Sequence, residues 1–186
     1  MSNGDETLTQ WQRRSYGGIG VGNDEQIGFD IEFDEKTQAW LDWFAPERIE
    51  SQVQALLTRT ISDMTNDSPW WRPPMSTRIM EAAKELFGDR AGFFAIENRD
   101  SADQFIRFLG ECYVRRAGYG WINIPEWGPP LYNDFGPSVR LGDDRISDVS
   151  MVSIAKRLFD DSDGPEMIEY NITEAVRRAR RIRAVT

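Results

Sequence analysis

Residues 92–124 read GFFAIENRDSADQFIRFLGECYVRRAGYGWINI, and the fold turns on how this stretch is divided. Gly92–Ile96 is a short apolar run of strand length. From Ser101 the period changes: Phe105, Ile106, Leu109, Cys112 and Tyr113 fall on one face of a helix running to about Arg116. Ser101 and Gln104 match a capping box, and Glu111 and Arg115 pair on the outside at a four-residue spacing. Trp121–Ile124 then returns to strand. The division predicts a β-α-β unit from Phe93 to Ile124 with parallel strands.

Upstream, a helix opens at about Ser76 and carries Ile79, Met80, Ala83, Leu86 and Phe87 on one side, with Gly88 as its stop. Asn66–Met75 is a loop built on Pro69-Trp70-Trp71-Arg72-Pro73-Pro74. Before it, Ile49, Val53, Leu56, Leu57, Thr60 and Met64 form an amphipathic stripe on a helix that starts at Pro46. Trp40, Leu41 and Phe44 make a short turn or helix that stops there. From Trp11 to Phe33 the pattern is a β-hairpin: Ile19 and Val21 alternate on one arm, and Ile27, Phe29, Ile31 and Phe33 on the other. The outer face of the second arm carries Asp30, Glu32 and then Asp34.

Downstream, Pro125–Pro137 is a second loop rich in proline and aromatic residues. A helix around Val149–Phe159, a strand Met167–Ile172 and a final helix capped by Thr173 complete the chain. Helices and strands mix without a regular rhythm, which predicts an α+β fold. The expected architecture is a single domain over 11–172 with an N-terminal β-hairpin and a small mixed sheet of about four to six strands packed by about five helices. Residues 1–10 are expected to be mobile. Residues 173–186 form an Arg-rich helix docked on the domain or extending from it.

The chain has 186 residues and no histidine. That removes Ser-His-Asp and Cys-His triads, His-bearing zinc sites and imidazole proton shuttles. The single cysteine, Cys112, has no internal partner and sits on an apolar helix face, where a small buried thiol is expected. A chain this long buries roughly 70% of its unfolded surface, so it needs no disulfide or structural metal. Met1–Glu6 has neither the basic nor the apolar region of a secretory signal, and there is no apolar run of membrane-spanning length. A cytoplasmic location and no membrane association are expected.

Net charge is −9, unevenly spread. Residues 173–186 hold Arg177, Arg178, Arg180, Arg181 and Arg183 against Glu174, a net +4, which leaves −13 on residues 1–172. An acidic body repels nucleic acid and attracts basic protein surfaces. Nucleic acid is expected only through the Arg177–Arg183 tail. On a helix, that tail lines Ala175, Val176, Ala179 and Ile182 along one side, and its arginines face acids such as Asp160, Asp161 and Asp163.

Several constellations resemble chemistry and fail on detail. The glycine run Gly17–Gly22 puts Asn23 at the third glycine position of a phosphate loop and leads into a strand rather than a helix. Asp34-Glu35-Lys36 is half of a magnesium nuclease pattern, with Asp24 or Asp30 upstream; a solvated hairpin face is the better reading. Asp160-Asp161-Ser162-Asp163-Gly164 puts Phe159 and Tyr170 where a calcium loop needs acids. Glu97 and Glu126 each follow an expected strand, as a glycosidase pair would, and each also makes sense as a surface acid. No cofactor or metal is called for.

What remains is the pair of Trp-Pro loops with Trp70, Trp71, Arg72, Trp127, Tyr132 and Phe135, together with the acidic face of Asp30, Glu32 and Asp34. Trp, Tyr and Arg are interface hot-spot types, and proline-stiffened loops lose less entropy on binding. The alternative is that these rings tuck beneath their own loops. The expected function is non-enzymatic binding of a basic protein partner, as inhibitors such as toxin-blocking immunity proteins or phage-encoded blockers of bacterial defence nucleases do. The other two expectations are an assembly subunit, of a phage particle or another multi-protein complex, and a carboxylate- or Mg²⁺-dependent hydrolase. Oligomeric state is left open.

Overall fold

The computed structural model describes residues 33–61, 69–142, 144–160 and 164–184. The arm over 1–10 and, Phe33 apart, the hairpin over 11–33 lie outside them, as do Asp30, Glu32 and the Gly17–Gly22 run. Helix α1, Glu35–Phe44, starts at Asp34, whose Oδ1 accepts from the Lys36 and Thr37 amides at 3.0 Å each. The Thr37 hydroxyl donates to the second carboxylate oxygen, and these bonds hold the Asp34 carboxyl below the ordinary aspartate range. Asp34 is therefore a helix cap, correcting its expected place on a strand face.

Pro46 disfavours helical backbone at Ala45, which is extended, and itself opens α2, Pro46–Thr60. The predicted stripe is buried there through Ile49, Val53, Leu56 and Leu57. Helix α3, Met75–Phe87, ends on Gly88 with φ at +74°. The next segment departs from expectation. Gly92–Ile96 is not a strand: Arg90–Phe94 forms a short helix, α4, and Ile96–Asn98 a 3₁₀ turn. Asp89 caps α4 by accepting from the Gly92 amide at 2.7 Å, and Phe93 turns inward onto Phe87 and Phe105. A short apolar run fits a buried helical turn as well as a strand, and here the cap decides.

The central helix α5 spans Arg99–Ala117 and ends on Gly118 in the left-handed region at φ +72°. It starts two residues before the expected capping box. Ser101 instead sits inside the helix and accepts from the Arg59 guanidinium, while Gln104 reaches across to Gln52 on α2 at 3.1 Å. Three strands follow: β1 Gly120–Asn123, β2 Pro137–Leu141 and β3 Asp144–Ser150, in the antiparallel order β1-β2-β3. Trp121 pairs with Val139, and Val139 with Val149. The predicted parallel β-α-β unit is therefore absent, since β1 has its partner downstream. β2 and β3 escaped sequence reading because their buried positions include Ser138, Ser147 and Ser150, which blur the apolar alternation.

Two further helices close the fold: α6, Met151–Lys156, capped by Ser150 and continued by a 3₁₀ turn to Phe159, and α7, Gly164–Arg183. Helix α7 absorbs the expected strand Met167–Ile172 and begins well before Thr173. Ile168, Tyr170 and Ile172 alternate like a strand, yet the buried set is Ile168, Ile172, Ala175 and Ala179, a three-to-four spacing. Among the described residues the fold is α+β, with seven α-helices and one three-stranded sheet, against about five helices and four to six strands expected. Helix α5 lies at the centre, packed against α2, α6, α7 and β2. No helix among the described residues is long and apolar enough to cross a membrane.

Candidate functional site

Four charges recur every fourth residue along α5: Asp103, Arg107, Glu111 and Arg115. That spacing puts them one above another on the helix. They are not a solvated face. The Arg107 side chain is 1% exposed and Glu111 is buried. Arg107 Nε donates to Asp103 Oδ2 at 2.8 Å, and Arg115 Nε to Glu111 Oε2 at 3.0 Å. Glu111 thus belongs to the interior, where the sequence placed it outside.

Each step of this ladder holds an aromatic ring. Asp103 Oδ1 accepts from Trp43 Nε1 and from the Tyr132 hydroxyl, both at 2.6 Å. Arg107 lies 4.0 Å from the Trp43 ring centre and donates to the Trp43 carbonyl at 2.6 Å. Glu111 accepts from Trp121 Nε1 at 3.0 Å. Arg115 covers Trp70 and Trp71 at 4.7 and 5.2 Å, and reaches Glu50 at 2.6 Å. Gly110 admits the Trp121 ring, since any Cβ there would overlap it. The arrangement lets a long central helix bury charge without leaving it unpaired.

The ladder decides the fate of the two Trp-Pro loops, which pack at its opposite ends, about 18 Å apart along the helix axis. At the Arg115 end, Trp70 is 4% exposed and packs on Phe108; Trp71 is half-buried, edge-on to Trp70, and Arg72 is exposed. At the Asp103 end, Tyr132 is buried, and Phe135 is half-buried against it with centroids 4.8 Å apart. Burial, with the Asp103 carboxylate alongside, pushes the Tyr132 hydroxyl well above its ordinary pKa, so it stays a donor. Trp127 remains outside at 38% exposure, next to exposed Glu126.

Backbone hydrogen bonds fix the 125–137 loop. Ile124 N–H donates to the Gly136 carbonyl at 3.0 Å, Trp127 N–H to Ile124 at 2.9 Å, and Tyr132 N–H to Gly128 at 3.1 Å. Asn123 Oδ1 accepts from Gly136 N–H at 2.9 Å. At Gly128 a Cβ would strike the Phe135 carbonyl, and at Gly136 the Ile124 carbonyl, so both glycines are required by close approach. Gly136→Ala is expected to raise amide exchange across residues 124–136 by at least about tenfold while α7 keeps its protection. Unchanged exchange in the loop would show that the crossing tolerates a side chain.

Beneath the loop, a cleft of about 210 Å³ is lined by Trp43, Arg48, Arg99, Asp100, Asp103, Arg107, Leu131 and Tyr132. Its central groups are already engaged. Asp103 accepts three donors, Arg107 is paired, and Arg99 donates to the Leu131 carbonyl at 2.8 Å. Among the described residues no three Asp, Glu, Cys or His side chains gather as a metal would need. Asp34 is engaged as a cap, and Asp160 pairs with Arg90 rather than with the C-terminal arginines. Asp161, Ser162 and Asp163 lie outside the described residues. Glu97 and Glu126 sit in exposed 3₁₀ turns. Burial raises the Cys112 thiol far above its usual pKa, so it stays neutral and unreactive.

The ladder was missed because Asp103, Arg107, Glu111 and Arg115 match the spacing of a surface salt-bridge row. Its inward direction is set by Trp43, Trp121 and Tyr132, which reach it from other elements. Compared with known protein families, with curated proteins and with solved structures, the chain matches none.

Proposed function

We propose that this chain acts without chemistry of its own, by binding a protein that presents a basic surface, with the 125–137 loop as anchor. The observation that carries this reading is the position of Trp127. It is a large exposed ring on a loop whose backbone is hydrogen-bonded at both ends, while its neighbours Tyr132 and Phe135 hold the loop from beneath. A ring presented this way loses little entropy when it is covered, which is the property of a hot-spot residue.

The exposed acids Glu126 and Asp134 on the same loop supply the charge that steers a basic partner, and the net charge of −9 extends that attraction. Basic surfaces are characteristic of proteins that handle nucleic acid. An inhibitor covering such a surface would compete with phosphate for it. The binding set narrows to Trp127 and the exposed acids of this loop, with Phe135 supporting it from beneath and Trp71 and Arg72 as a second, separate surface. Trp127→Ala is expected to weaken partner binding about 30-fold with the fold intact. Ile146→Ala, on an exposed apolar residue of the far edge strand β3, should leave binding unchanged; equal losses in both variants would refute the assignment.

A further inference from the structure

Helix α7 separates its charges along its length. Its outer face carries Glu166, Met167 and Tyr170 near the start, and Arg177, Arg180 and Arg181 near the end, all exposed. Tyr170 is 58% exposed and Met167 46%, an unusual display of apolar surface on a helix whose opposite face is buried. The inner arginines are turned to the body: Arg178 donates to the Ile146 carbonyl at 3.4 Å and Arg183 to the Ala117 carbonyl at 3.2 Å. Arg177 bonds Glu174 within the helix. The guanidinium groups of Arg180 and Arg181 have no ion-pair or hydrogen-bond partner among the described residues.

We infer that this face pairs with α7 of a second copy of the chain, antiparallel across a two-fold axis between Thr173 and Glu174. About that axis Glu166 lies opposite Arg181 of the other copy, and Tyr170 opposite Arg177, where the guanidinium meets an aromatic face. Each contact occurs twice by symmetry. At about 100° per residue, Glu166, Tyr170, Arg177 and Arg181 fall on one stripe opposite the buried residues Ile168, Ile172 and Ala179. A parallel pairing would set arginine against arginine, so charge alone selects the antiparallel form. Twenty residues give a face about 30 Å long, which covers on the order of 1,000 Å² in total, the lower limit for a specific interface. The dimer is therefore weak and salt-sensitive. The inference is independent of the Trp127 loop.

Sedimentation equilibrium of the full chain tests it. The wild type is expected to dimerise at about 100 μM protein in about 50 mM salt and to dissociate in about 500 mM. Arg181→Glu alone and Glu166→Arg alone should each weaken self-association at least about tenfold, because both symmetric contacts become repulsive. The double variant Glu166→Arg/Arg181→Glu should restore it, and an equimolar mixture of the two single variants should form a heterodimer. Both substitutions are on exposed positions, and circular dichroism checks that the helices persist in all three variants. A wild type that stays monomeric in low salt, or an Arg181→Glu chain that dimerises as well as wild type, overturns the pairing.

Discussion

Asp103→Ala is expected to destabilise the fold by about 3–5 kcal/mol, the usual consequence of leaving a buried charge without its partner. Arg107 would keep its 1% exposed guanidinium inside the protein with no carboxylate beside it, while Trp43 Nε1 and the Tyr132 hydroxyl would lose their acceptor together. Urea unfolding measures the loss as a fall in midpoint at unchanged slope. The double variant Asp103→Ala/Arg107→Met should be more stable than Asp103→Ala alone, because it removes the stranded charge as well as its partner. A loss below about 1 kcal/mol for Asp103→Ala would mean that the ladder contributes no more than an exposed ion pair.

Trp70→Ala is the second large effect, about 3–5 kcal/mol, and it separates core from interface. Trp70 is 4% exposed, lies against Phe108, and is covered by Arg115 at 4.7 Å. Removing its ring opens a cavity beneath the Arg115 end of the ladder. Thermal unfolding should show the loss, while the fraction still folded should bind a partner as before. Trp127→Ala should do the reverse, with stability nearly unchanged and binding lost. If Trp70→Ala proved neutral for stability, the packing of the first Trp-Pro loop would be wrong.

The sequence was most legible where one signal governed each element. Pro46 placed the break between α1 and α2, and the stripe from Ile49 to Leu57 named the face that α2 buries. Gly88 and the apolar set Ile79, Met80, Ala83 and Phe87 did the same for α3, although Leu86, expected on that face, is exposed. Reading failed where two periods fitted the same residues. Gly92–Ile96 and Met167–Ile172 are short enough to pass as strands, and only the Asp89 cap and the longer run to Ala179 resolve them as helices.

Of the candidate site, the loops were visible and their division between core and surface was not. Trp70 and Trp127 are the same residue type within two residues of a proline, and that local pattern does not say which ring is buried. What distinguishes them is tertiary: Arg115 on α5 covers Trp70, and among the described residues no cation lies over Trp127. The four-residue charge spacing on α5 was also visible, but its direction depends on Trp43, Trp121 and Tyr132, which arrive from elements far apart in the chain.

The most direct test of the proposed function is affinity capture from the cells that make the protein. Wild type and Trp127→Ala would be immobilised side by side across a salt series. The expected result is a basic protein held by the wild type at about 50 mM salt, released by about 500 mM, and retained about 30-fold less by a folded Trp127→Ala chain. Equal retention by both chains, or retention indifferent to salt, would contradict binding through the 125–137 loop to a basic partner.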